Sequence, residues 1–190
     1  RKMKRKLKVT FNSPGILGFV FACLCVTIIG SLTGGRVTQW LFMTYHSSLA
    51  SPMTYLRFFT HVLGHSGWNH FLGNATYLLL LGTTLEDKYG SRVIIEIILI
   101  TALVTGLVNY IFFWNVGLCG ASGVVFAFIL LASFTGFKRG EIPLTFILIA
   151  VIFIGQQLYE GITVSDNISN MAHIVGGAVG SVCGYYLNKK

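Results

Sequence analysis

Long apolar stretches separated by short polar clusters set the pattern of the chain. Six such stretches stand out, at roughly 15–32, 68–85, 93–114, 120–136, 142–160 and 170–187. A membrane-spanning helix needs about 20 largely apolar residues, and somewhat fewer when it is buried among others. The connection from 33 to 67 is longer than the rest and too polar to span, mixing Arg36, Trp40, Tyr45, His46, Pro52, Tyr55 and Arg57 with Leu, Phe and Met. Such an amphipathic segment is expected to lie in the membrane interface, its aromatics at headgroup level. The expected fold is all-α: a polytopic membrane protein with six transmembrane helices in a compact bundle and a long interfacial loop after helix 1. A basic segment over 1–14 precedes the membrane domain over 15–190, with no internal repeat or second soluble domain.

Composition agrees with this pattern. Hydrophobic residues make up 54% of the 190 and charged residues 11%, with a mean hydropathy of +0.72, whereas soluble domains carry roughly 25% charged residues. The net charge of +8 is not spread along a folded face. Six of the fourteen basic residues lie in Arg1–Lys8, and most others flank the apolar stretches. This is the distribution of topology-setting charge beside anionic lipid, and it argues against nucleic acid as a partner.

With six helices, both termini share a side that also holds Lys88, Arg92, Lys138, Arg139, Lys189 and Lys190. Only Arg36 and Arg57 are left on the other. The positive-inside rule then makes the terminal side cytoplasmic, so helices 2, 4 and 6 run from outside to inside. Residues 15–32 exceed a usual signal-peptide core and lack an Ala-x-Ala-like exit, which predicts a retained first helix. Cys23, Cys25, Cys119 and Cys183 read as buried small hydrophobes, with no disulfide framework or zinc spacing.

Polar residues at depth are costly unless paired or facing a wet cavity, so they carry the functional information. Ser122 lies in Gly120-Ala121-Ser122-Gly123 at the start of helix 4. There the free N–H groups of a first helical turn can face an oxyanion, though the same residues also suit helix packing. His173 lies near the outer end of helix 6, above a stripe through Gly177, Gly180 and Gly184 that lets a neighbouring helix come close. His70 and Asn74 share one face of helix 2 at i, i+4, and both can donate hydrogen bonds.

All four fall near the outer ends of helices 2, 4 and 6, a coincidence that independent packing roles would not require. No Asp or Glu lies within the helices at that depth, since Glu160 and Asp166 belong to the loop before helix 6. The expected machinery is therefore a Ser122–His173 dyad, His173 serving as general base. His61, His65 and His70 could suggest a metal, but no carboxylate joins them, and Gly64 and Gly67 interrupt their helix. Glu96 is expected to pair with Arg92 at i−4, and Glu86 to cap or salt-bridge near Asp87, Lys88 and Arg92.

These residues resemble the rhomboid family of intramembrane serine proteases, especially compact six-helix bacterial members. The resemblance rests on Arg57, His61 through His65, His70, Asn74, Glu86, Gly90-Ser91, Gly120 to Gly123, and Ala172-His173 with Gly176 and Gly180. It implies Ser122 as nucleophile, His173 as base, and His70 and Asn74 with the Ser122 N–H as oxyanion hole, with Gly120 beside them. It also implies hydrolysis in or next to a transmembrane segment of single-pass or polytopic substrates, in a bacterial inner membrane, without cofactor or metal. Phe126 stands where the family often has a Tyr stacked on the catalytic His, and Leu56-Arg57 where it has Trp-Arg. The competing readings are a non-catalytic rhomboid-like protein that binds transmembrane helices, and a transporter, for which Glu96 is thin support.

Overall fold

The computed structural model describes residues 10–135, 141–163 and 167–189. The basic cluster of the first nine residues, Lys138, Arg139, Asp166 and Lys190 lie outside the described residues, as does the side chain of Glu160. The described chain is helical: α1 Pro14–Leu32, α2 Arg36–Leu41, α3 Pro52–Thr60, α4 Trp68–Tyr77, α5 Thr83–Tyr89, α6 Ser91–Phe112, α7 Ser122–Ser133, α8 Leu144–Thr163 and α9 Asn167–Asn188. Each of the six apolar stretches is helical. By length and apolarity α1 and α6 are fit to cross a membrane, with mean hydropathies of 2.4 and 2.1. The second stretch is not one uniform α-helix, because a π-helical segment at Leu78–Gly82 joins α4 to α5. Gly82 belongs there: a Cβ on it would come within 2.5 Å of Ile16 Cδ1.

α7 is the core helix, with Val124, Phe128 and Leu131 fully buried. Its closest neighbour is α9, and glycine sets that distance. A Cβ on Gly176 would run into the Gly123 carbonyl, and one on Gly180 into the Ala127 carbonyl. One on Gly184 would come within 2.5 Å of the Phe134 ring. Gly176, Gly180 and Gly184 are thus the glycines seen to be set against α7 and the residue that follows it; Gly180 and Gly184 belong to the stripe expected from the sequence. Backbone against backbone is the arrangement small residues permit in membrane helices.

Pro14 starts α1 without losing a bond, since the first N–H groups of a helix have no intrahelical acceptor. The next two are taken from afar. Gly15 and Ile16 donate their N–H groups to the Glu86 carboxylate at 2.8 Å each, and Ser91 Oγ donates to it at 2.6 Å. Glu86 is buried, and a carboxylate there also meets the positive end of the α1 dipole. The sequence suggested a cap or a salt bridge; the structure gives a cap, on another helix. Arg92 instead pairs with Glu96 at 2.9 Å on an exposed face, as expected. At the same end Lys88 donates to the Thr135 carbonyl at 2.8 Å and to Asn188 Oδ1 at 3.1 Å. The start of α1, the α5–α6 junction and the ends of α7 and α9 therefore meet at one end of the bundle.

The long connection is folded, carrying α2, α3 and a 3₁₀ turn at His61–Leu63. Arg57 is buried, donating from Nε to the Trp40 carbonyl at 2.8 Å with its guanidinium 4.4 Å from the Tyr45 ring centroid. Tyr110 of α6 donates its hydroxyl to Ser47 O at 2.7 Å. Among the cysteines Cys23 is buried, but Cys25 faces outward, because the apolar surface of α1 is not all covered by protein.

Gly180→Val should drive a branched side chain into the Ala127 carbonyl and destabilise the fold by about 1–3 kcal/mol or more. A lowered unfolding temperature in detergent, against little change for Gly18→Val where a Cβ meets open space, is the check. Burial holds His61 near pKa 4 against the opposing bond to Ala102 O. His65 is also near 4, by burial first and then the charge of His70. Both are neutral when folded and titrate near 6.5 when unfolded, so stability should be flat above pH 7 and fall as pH drops from about 6.5 toward 4. An unfolding midpoint unchanged across that interval would refute this.

Candidate active site

The segment leading to Ser122 is fixed before the helix starts. Leu118 and Thr44 exchange backbone hydrogen bonds of 2.8 and 3.0 Å, and the Gly120 N–H donates to His61 O at 2.9 Å. Asn109, buried in α6, donates through Nδ2 to the carbonyls of Thr44 and Val116, 3.2 Å each. The first connection, the end of α6 and residues 116–120 are thereby tied together. The chain then turns at Gly120, whose φ of +133° is a region L side chains rarely adopt, and Ser122 opens α7.

Gly120 is required on steric grounds as well. A Cβ there would lie 2.7 Å from His70 Cε1, 2.9 Å from His70 Nε2 and 3.8 Å from Ser122 Oγ. The His70 imidazole and the Ser122 hydroxyl thus flank one point above the Gly120 backbone. His70 Nδ1 is 3.1 Å from Ser66 Oγ. With Ser66 as donor, the imidazole carries its proton on Nε2, the atom turned toward Gly120. His65 packs edge-on against His70, centroids 5.1 Å apart.

Asn74 follows His70 by one turn of α4. Its side chain is buried, and Nδ2 has no hydrogen-bond partner. A buried unpaired amide donor is expensive, about 1–3 kcal/mol, and calls for an explanation.

His173 sits on α9 next to Ala172, whose carbonyl oxygen lies 3.5 Å from where a Gly123 Cβ would be. The close passage of Gly176 past Gly123 sets His173 level with the first turn of α7. Its ring lies 4.2 Å from the Phe126 ring, tilted by 37°. Ser122 and Phe126 are a turn apart and share one face of α7, so Phe126 brings His173 to the Ser122 face. The ring-on-ring contact expected without the tyrosine hydroxyl is present.

The sequence-predicted residues therefore gather at one end of the bundle, opposite Glu86. His61 is instead used by the scaffold, its Nε2 3.0 Å from Ala102 O. Among the described residues no group of three His, Cys, Asp or Glu is placed to hold a metal ion. The residue that sequence reasoning missed is Asn109. Its signal was available, an amide inside the apolar run 93–114, and the rule that polar residues at depth are informative applies to it as it does to Asn74.

A family model for the rhomboid domain matches residues 52–190, from the start of α3 to the end of the chain. The matched region contains Ser122, His173, His70, Asn74 and Phe126. Members are embedded in membranes and are in general intramembrane serine proteases, with pseudoproteases among them. With well over half of its length matched, the chain belongs to the rhomboid family.

Proposed function

We propose that the protein is an intramembrane serine endopeptidase that hydrolyses peptide bonds in or next to transmembrane segments of other membrane proteins. The observation that carries this reading is the meeting of His70 and the Ser122 hydroxyl over Gly120, with the unpaired buried amide of Asn74 one turn away. Asn74 Nδ2 has no acceptor among the protein atoms, as is also true of scaffold atoms such as His61 Nδ1; its place one turn from His70 is what suits it to charge that appears during reaction.

Ser122 Oγ attacks the scissile carbonyl while His173 accepts its proton. The oxyanion takes hydrogen bonds from the Ser122 N–H, His70 Nε2 and Asn74 Nδ2, and the free N–H groups at the start of α7 add favourable potential. His173 then protonates the leaving amine, and water releases the acyl group by the same steps with His173 again as base. Phe126 keeps the imidazole from rotating away by stacking. Gly120 leaves room for the substrate carbonyl between His70 and Ser122. No carboxylate is assigned a part in orienting His173. The dyad needs neither metal nor cofactor.

For topology we infer six crossings, with α4 and α5 forming one, both termini in the cytoplasm, and the site opening outward from a bacterial inner membrane. The grouping of helix ends supports this: Lys88 and Arg92 share the end where α1 starts and α9 finishes, and Ser122 lies at the other. A transmembrane substrate must unwind locally to offer a carbonyl, which favours helix-weakening sequences with a small residue before the cut.

Labelling with a fluorophosphonate and mass mapping in detergent or liposomes should place the adduct on Ser122. Ser122→Ala and His173→Ala should each lower cleavage of a transmembrane reporter at least about 10³-fold, and Asn74→Ala about 10²-fold. Cleavage that persists in Ser122→Ala, or a parent protein that neither labels nor cuts, would overturn the reading. Phe126→Tyr should leave kcat/KM within roughly tenfold, about 1.4 kcal/mol; a larger loss would mean the ring does more than stack.

A further inference from the structure

A second concavity, of about 560 Å³, opens where α2 faces the chain just beyond α6; Arg36, Gln39, Trp40, His46, Trp114 and Asn115 are among the residues that line it. None of the candidate catalytic groups reaches it. Its size is that of a small-ligand pocket.

Its walls are built before any ligand arrives. The Trp40 carbonyl is held by Arg57 at 2.8 Å. His46 stacks on Trp114 at 4.5 Å and 11°, and on Tyr110 at 4.6 Å. Trp114 donates its indole N–H to Ile111 O at 2.7 Å, so it presents the pocket with a ring and no free donor. Trp40 and Trp114 are nonetheless 58% and 64% exposed, leaving flat apolar surface at the rim.

Charge picks the ligand. Of the two arginines at this end, Arg57 is buried and occupied, whereas Arg36 is exposed and no acidic residue lines the pocket with it among the described residues. Gln39 and Asn115 add neutral amide donors. A guanidinium fork with amides beside it suits the oxygens of a phosphodiester. Position picks the source. Arg36 comes four residues after Leu32, the last residue of the apolar helix α1, just past the hydrocarbon-crossing length. Lipid phosphates lie at that depth, and tryptophan favours the same layer.

We propose that this pocket binds the headgroup of a membrane glycerophospholipid, Arg36 holding the phosphodiester and the rings of Trp40 and Trp114 covering the glycerol and the first acyl carbons. The inference rests on membrane embedding and is independent of the proteolytic reading. A bound lipid would brace α2 against residues 114–117, which continue into the segment that carries Ser122.

Native mass spectrometry of the delipidated protein in detergent tests it, with dioleoylphosphatidylglycerol, dioleoylglycerol and inorganic phosphate as separate probes. The phosphatidylglycerol adduct should form on the parent and weaken about tenfold in Arg36→Gln, recover in part in Arg36→Lys, and weaken also in Trp114→Ala. Arg92→Gln, at the other end of the bundle, should leave it unchanged. Equal binding of dioleoylglycerol, displacement of the lipid by millimolar phosphate, or undiminished binding in Arg36→Gln would overturn the proposal. So would stronger competition from a soluble acidic peptide than from the lipid, which would assign the pocket to a protein segment. Since the readout is lipid mass, loss of proteolysis and loss of this site are distinguishable.

Discussion

The backbone contact between α7 and α9 is the constraint on which the site depends. Where Gly176 passes the Gly123 carbonyl and Gly180 the Ala127 carbonyl, there is no side chain whose flexing could absorb an error. In lipid no hydrophobic force draws two helices together, so close van der Waals fit and short-range polar contact must do so. That same fit fixes the height of α9 on α7. His173, three residues before Gly176, is thereby set beside Phe126 and on the Ser122 face.

Two further ties complete the frame. Glu86 binds the first free N–H groups of α1 and the hydroxyl of Ser91, joining three helices at one end through a single carboxylate. At the opposite end the folded first connection holds residues 116–120 by the Thr44–Leu118 pairing and the His61 carbonyl, and Asn109 of α6 ties the two segments together. A serine on a short loop would wander. Here its approach is tied to the ends of two other elements, and Gly120 can adopt its left-handed turn under the His70 ring.

Much of the interior polarity is scaffold. Arg57, His61, Glu86 and Asn109 are all buried, and each is bonded to backbone belonging to another element. Satisfaction is incomplete among them, since His61 Nδ1 and Asn109 Oδ1, like Asn74 Nδ2, have no partner; what sets Asn74 apart is its place one turn after His70 on α4.

The sequence by itself determined the helical class and the six apolar stretches, and it singled out Ser122, His173, His70 and Asn74 as candidates, because hydropathy and polarity at depth are properties of composition along the chain. It also determined that glycine would face a neighbour of His173. It named Gly180 and Gly184, but not that Gly176 would meet the Gly123 carbonyl, since that contact depends on the rotation chosen by both helices together. Nor could it show that Glu86 serves α1, about 70 residues earlier, that the long connection folds into helices around Arg57, or that Asn109 secures the approach to Ser122. Those are hydrogen bonds between distant segments. Periodicity reports only what a residue does for its own element, and the partner is decided by packing.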